Sequence, residues 1–190
     1  MKKIILIITV FSAIAFSANS QTLEKGSSLF NIGVGLGGDY SSYSGVYSTN
    51  TPAVGLSFDW GFKDDIGPGL ITLGAYVGYK QLTYKHIYSS TYYYDWKWAY
   101  TIVGARSTYQ YEINDKLSLY AGLLVSVNFV KFTEKSNDPY YVYDNYTSSN
   151  SDIFLTVFGG ARYGFGEHFG AFAELGYGIS YLTLGVGFKL

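Results

Sequence analysis

The chain has no cysteine, only three prolines and few charges, with 13 Lys or Arg and 14 Asp or Glu among 190 residues. Without cysteine, neither a disulfide framework nor a thiolate metal site can form. A formal net charge of −1 supplies no electrostatic footprint for nucleic acid. Beyond residue 20 no apolar run approaches the ~20 residues of a spanning helix, and no segment keeps a helical period. Any passage of the remaining chain through a bilayer must therefore use a closed sheet, because hydrocarbon offers no partner to an open backbone group. Asp138, Asp144 and Asp152 lack the spacing of a calcium loop. Gly33, Gly35, Gly37 and Gly38 are followed by no helix, which a phosphate-cradling loop requires. No metal and no cofactor are expected.

The first 20 residues stand apart. Lys2 and Lys3 precede an apolar stretch from Ile4 to Phe16, and Ala18 and Ser20 occupy the small positions before Gln21. Such an order is that of a cleaved secretory signal. At about 13 residues the stretch is short for a spanning helix. No Cys follows it, so a lipoprotein anchor is not expected, and no twin Arg precedes it. Residues 21–190 then form one domain.

What the chain does have is 21 Tyr, 13 Phe and 23 Gly, arranged in alternating segments. Strands are predicted at about 28–37, 53–62, 69–81, 97–112, 117–132, 152–164, 169–177 and 180–190. Val54, Leu56, Phe58, Trp60 and Phe62 share one face of the second, because successive side chains of a strand point oppositely. Ser57 and Asp59 fall on its other face. Periodicity alone does not say which face is wet. A soluble lipocalin-like barrel would turn the apolar face inward. Three features favour lipid outside. The mixed face is rich in Gly where a soluble exterior is rich in Lys and Glu. An eight-stranded barrel leaves room only for side chains, which suits an alternation such as Gly74-Tyr76-Gly78. Finally, Trp60/Phe62, Tyr109/Tyr111, Tyr163/Phe165 and Phe188 recur at one end of alternate strands, where a membrane girdle of amphipathic rings would sit. Val54, Leu73, Leu123 and Leu184 must then face outward, and Arg106 and Glu174 inward.

Connections alternate in length. Those near 63–68, 113–116 and 166–168 are short, and those near 38–51, 83–96 and 133–151 are long. Short periplasmic turns and long outer loops are the arrangement of outer-membrane barrels. Gly104-Ala105-Arg106 recurs as Gly160-Ala161-Arg162, each leading through a short turn to Leu119-Tyr120-Ala121-Gly122 or Ala171-Phe172-Ala173-Glu174.

With Ala173-Glu174-Leu175-Gly176-Tyr177-Gly178 and the closing Leu182-Thr183-Leu184-Gly185-Val186-Gly187-Phe188, these motifs resemble the small eight-stranded outer-membrane β-barrels of Gram-negative bacteria, the OmpA/OmpX/opacity-type group. The resemblance spans residues 21–190. It implies an all-β, eight-stranded, antiparallel up-and-down transmembrane barrel after a signal peptide, in the cell outer membrane with both termini periplasmic. It implies outer-membrane lipid as a partner, with the barrel-insertion machinery and periplasmic chaperones during biogenesis. The group usually ends in an aromatic residue, whereas this chain ends in Leu190, with Phe188 on the same face. No peptidoglycan-binding segment follows the last strand, so wall anchoring is not expected.

Candidate chemistry is sparse. Arg106, Arg162 and Glu174 fall on the inward face with Thr108, Gln110 and Thr156. Pairing across the turn near 166 sets Glu174 opposite Gly160 and diagonal to Arg162. A gate or proton path is one reading, and a lumen-filling ion-pair network is the favoured one. Tyr88, Tyr92, Tyr93, Tyr94, Trp96, Tyr140, Tyr141 and Tyr143 cluster in two long loops with Ser and Asn. Tyr offers large contact area at low rotamer cost, so these are candidate surface-binding residues for an extracellular ligand of unknown identity. The alternative is strands continuing past the bilayer as solvated sheet. His86, Ser89, Ser90 and Asp95 share one loop, yet no spacing fixes a catalytic geometry. The expected function is therefore non-enzymatic: a filled barrel with an envelope-structural or adhesive role. The alternatives are a narrow small-solute channel and, last, a lipid A-modifying enzyme.

Overall fold

A computed structural model of the chain describes residues 23–38, 49–87, 93–136 and 146–190. The strands are β1 (Ser28–Leu36), β2 (Thr49–Asn50), β3 (Ala53–Ile66), β4 (Gly69–Ile87), β5 (Tyr93–Glu112), β6 (Leu117–Ser136), β7 (Thr147–Gly164), β8 (Phe169–Tyr177) and β9 (Leu182–Lys189). All pairings are antiparallel, and the order β4-β3-β1-β9-β8-β7-β6-β5 closes through β4–β5. The two-residue β2 pairs with β4 beyond the end of β3. An eight-stranded ring results, and where all eight strands are present closure leaves no strand edge in need of a partner.

The faces sort as the alternation requires. Val54, Leu73, Leu123 and Leu184 lie outside, each 41–52% exposed, whereas Arg106, Arg162 and Asp59 are buried inside. This inverts a water-soluble barrel: period sorts the residues into two faces, and the Gly-rich, ring-filled face is the one that closes on itself inside.

Three layers fill the interior. Leu23, Leu29 and Leu70 close the end at the short turns. The segment before β1 holds that closure, Gly26 N donating to the Gly61 carbonyl at 2.8 Å. Ala53, Ile102, Tyr120, Leu124, Phe158 and Ile179 form an apolar layer toward the other end. Between them lies a polar layer. Glycine makes room for rings in this narrow space: a Cβ on Gly78 would fall 2.7 Å from the Tyr76 hydroxyl oxygen. The predicted turn at Asn114-Asp115 forms, with the Asn114 side-chain oxygen accepting from the Lys116 and Leu117 amides, both at 2.9 Å.

The strands depart from expectation in length. β4, β5, β6 and β7 run 19, 20, 20 and 18 residues, whereas β1, β8 and β9 have nine, nine and eight. Crossing a bilayer takes about 9–11 residues, so the four long strands extend as a wing roughly 25 Å past that span on one side. Residues 83–87, 93–96, 133–136 and 147–151, expected in loops, are sheet. Cross-strand aromatic pairs hold them. Tyr84 and Trp96 face each other at 5.3 Å between ring centroids, and Trp98 and Phe132 at 5.1 Å. Such pairs add to ladder hydrogen bonding, while their consecutive rings break the alternation by which a strand is recognised. β3 also continues past Phe62 to Ile66, through register shifts between Gly61 and Ile66.

Candidate functional site

Arg106 projects from β5 into the lumen and ties three walls together. Its Nε lies 3.0 Å from Asp59 Oδ1 on β3. One terminal nitrogen donates to Glu174 Oε1 on β8 at 3.1 Å, and the other to Ser57 Oγ at 3.3 Å. Its guanidinium carbon stands 4.7 Å from the centre of the Phe158 ring, a cation–π arrangement. Asn31 on β1 donates to Asp59 Oδ2 and to Ser57 Oγ, both at 3.0 Å. One cation thus answers two carboxylates across the barrel.

Arg162, on β7, forms the second half of the layer. It donates to Gln110 Oε1 and to Asn31 Oδ1, each at 3.3 Å, and lies 5.2 Å from the centre of the Tyr120 ring. Gln110 passes the chain on to Thr108 at 3.2 Å, and Thr108 shares a 2.7 Å contact with Thr72. Two arginines and two carboxylates leave the layer formally neutral. A desolvated charge is best held by both a counter-charge and hydrogen bonds; Asp59, Arg106 and Glu174 have both, and Arg162 is held by hydrogen bonds.

The sequence pairing of Arg162 with Glu174 is corrected. Glu174 does sit opposite Gly160, but its partner is Arg106. Tyr120 supplies the reason. A Cβ on Gly160 would lie 2.8 Å from Tyr120 Cζ, so the glycine leaves that site to the Tyr120 ring. Tyr120 then donates to Glu174 Oε1 at 3.0 Å, and Arg162 packs on the ring instead of reaching the acid. Asp59, fully buried, was missed as a member. Its signal was available, since it is an acid on the inward face of an otherwise apolar-alternating strand. Beside this network, among Arg106, Tyr76, Phe172 and Glu174, the open space measures about 50 Å³. That admits a few waters.

Trp60, Phe62, Tyr109, Tyr111, Tyr163 and Phe188 all point outward at the rim of the short turns, with Phe165 in the turn after β7. Trp60 and Phe62 meet at 5.8 Å, and Tyr163 and Phe165 at 5.5 Å. The Tyr109 hydroxyl donates to the Ile66 carbonyl at 3.0 Å, anchoring its ring across to the next hairpin.

Of the candidate binding aromatics, Tyr93, Tyr94 and Trp96 lie in β5 and not in a loop. Trp96 Nε1 donates to Glu134 Oε1 at 2.8 Å, so its polar edge is engaged within the wing. Tyr93 faces the other way, beneath the Lys85 ammonium at 5.1 Å. Tyr88, Tyr92, Tyr140, Tyr141 and Tyr143 lie outside the described residues, as do Ser89 and Ser90.

No family model and no curated protein matches the sequence. Solved structures do match its fold. A de novo designed transmembrane β-barrel superposes with a TM-score of 0.51 at 14% identity, over 88% of this chain and 98% of the design. Ail, the attachment invasion locus protein of Yersinia pestis, solved with the heparin analogue sucrose octasulfate, superposes at 0.50 with 19% identity, over 88% of this chain and all of Ail. The N-terminal β-barrel domain of Pseudomonas aeruginosa OprF gives 0.50 with 16% identity, over 87% and 98%. Identities this low speak for architecture alone, and with an apolar exterior around a charged lumen the chain has the fold of the small eight-stranded transmembrane β-barrels.

Proposed function

We propose that the chain is a non-enzymatic outer-membrane protein whose barrel is plugged by its own side chains and whose wing serves an envelope-structural or attachment role at the cell surface. Residues 1–20 act as its export signal. The outward aromatics at the short-turn rim act as the periplasmic girdle, so the wing of β4–β7 stands outside the cell. Outer-membrane lipid is the standing partner, with insertion machinery and periplasmic chaperones acting during assembly.

The observation that carries the filled-barrel reading is the Asp59–Arg106–Glu174 strut across the lumen. Apolar layers lie on both sides of it. A solute larger than water has no path past it without breaking ion pairs in a low-dielectric space. In planar bilayers the purified barrel is expected to show no steady open level. A reproducible unitary conductance would establish the channel reading instead.

Orientation is tested separately, and the cysteine-free sequence makes the background clean. Lys135→Cys, on the wing, should react with a membrane-impermeant maleimide on intact cells. Asp115→Cys, in an exposed short turn, should react only after the outer membrane is opened. Labelling in the reverse order would turn the barrel over. The attachment part of the reading draws on Ail, named for attachment and solved with a sulfated sugar. Sulfated glycans are accordingly a first probe class for the wing.

A further inference from the structure

Lysine is absent from the outward face of the wing until the strands pass their last wholly apolar row. That row is Val77, Val103, Val127 and Ile153, side by side on β4, β5, β6 and β7. The next row, about 6.7 Å further along the strands, is Tyr79, Thr101, Phe129 and Ser151. Lys131 appears in the row after that, beside Ala99 and Ser149, and Lys97 in the row beyond. Lys85 and Lys135 flank Asp95 in the row after Lys97. All four lysines are exposed. Four cations against one acid give this face a formal +3. Lys97, Lys131 and Lys135 make no ion pair with a carboxylate among the described residues.

A groove of about 620 Å³ opens at the same place, with Tyr79 on one side, Phe129 and Lys131 on the other, Ala99 and Thr101 between them, and Ser149 beyond Lys131. Small side chains on β5 lie between large ones on β4 and β6, and small ones on β7 flank β6 on its other side, so the depression is built by register and not by a loop. Lys131 and Ser149 lie one row further toward the wing than Tyr79, Thr101, Phe129 and Ser151.

Depth decides the occupant. Lys131 stands two rows above Val127, about 13 Å along the strand and near 10 Å in height for a strand tilted by ~40°. The headgroup layer adds roughly 5–7 Å beyond each side of the hydrocarbon, and a lysine stem can bend back to that level. The groove also opens on the same outward face as Val103, so its occupant lies at the level of the lipid headgroups.

We propose that this face of β4–β6 binds the phosphate of an anionic outer-leaflet lipid, with Lys97 and Lys131 on the phosphate and the groove receiving the start of an acyl chain. The inference rests on the outer-membrane placement proposed above. The test uses the full-length mature chain folded into phosphatidylcholine vesicles doped with bisphosphorylated lipid A, followed by mild detergent extraction and native mass spectrometry of retained lipid. Wild type should keep lipid A, lose it at high salt, and ignore added inorganic phosphate. Replacement of Lys97, Lys131 and Lys135 together by Gln should lower retention at least about tenfold, given the attraction of each lysine to an anionic surface. Arg at the same three positions should restore it. Equal retention by the Gln variant, equal retention of dephosphorylated lipid A, or displacement by inorganic phosphate would each overturn the lipid site while leaving the barrel's placement intact. Failure of the wild-type chain to enter vesicles as a heat-resistant species would overturn both.

Discussion

Arg106→Ala should lower the stability of the folded barrel by about 3–5 kcal/mol, the usual cost of removing one partner from a buried ion pair. The side chain contacts two carboxylates, Asp59 at 3.0 Å and Glu174 at 3.1 Å, and its removal strands both in a space that admits only a few waters. Asp59 would retain Asn31 at 3.0 Å, and Glu174 would retain the Tyr120 hydroxyl at 3.0 Å. Neither donor carries a full charge. Glu174→Ala should be milder, about 1–3 kcal/mol, because Arg106 keeps Asp59. The measurement is the temperature at which the barrel loses its heat-resistant gel mobility, with urea titration for the free energy. Removing all four charges together, as Asp59→Asn, Arg106→Met, Arg162→Met and Glu174→Gln, should recover much of the loss, since a neutral filling avoids desolvating charge. An Arg106→Ala barrel as heat-resistant as the wild type would show that the strut does not hold the lumen together.

Leu123→Arg should cost about 2–4 kcal/mol in folding free energy, the range for a cation facing hydrocarbon near the bilayer midplane. Leu123 is outward-facing on β6, half exposed, with Val125 beside it on the same face. Thr133→Arg, on the same face of the same strand but among the wing lysines, should stay within about ±0.5 kcal/mol, as surface substitutions usually do. Strand, face and introduced residue are alike in the two variants. Their surroundings differ, with hydrocarbon at one and headgroups or water at the other. Reversible urea unfolding from vesicles measures both. Equal values at the two sites would mean that no hydrocarbon wets Leu123, and the membrane placement would fall with it.

Much of the barrel was legible from period alone. A strand in register exposes one set of side chains and hides the other, so Val54-Leu56-Phe58-Trp60 outside implied Ser57 and Asp59 inside. Short and long connections set the up-and-down topology, and Asn114 marked a turn that does form. The wing was less legible. Consecutive aromatics such as Tyr92-Tyr93-Tyr94 look like loop composition, and only their cross-strand partners show that Tyr93 and Tyr94 are ladder residues.

The lumen divides most clearly between sequence and structure. Local order placed Arg106, Arg162 and Glu174 on one face, because facing is a property of a single strand. Partner choice is not such a property. Arg106 on β5 meets Asp59 on β3 and Glu174 on β8 across the barrel axis, through contacts between strands that are not neighbours in the sheet. Register along one hairpin cannot anticipate them. Closure of the ring, and the volume Tyr120 takes opposite Gly160, decided which arginine reached the acid.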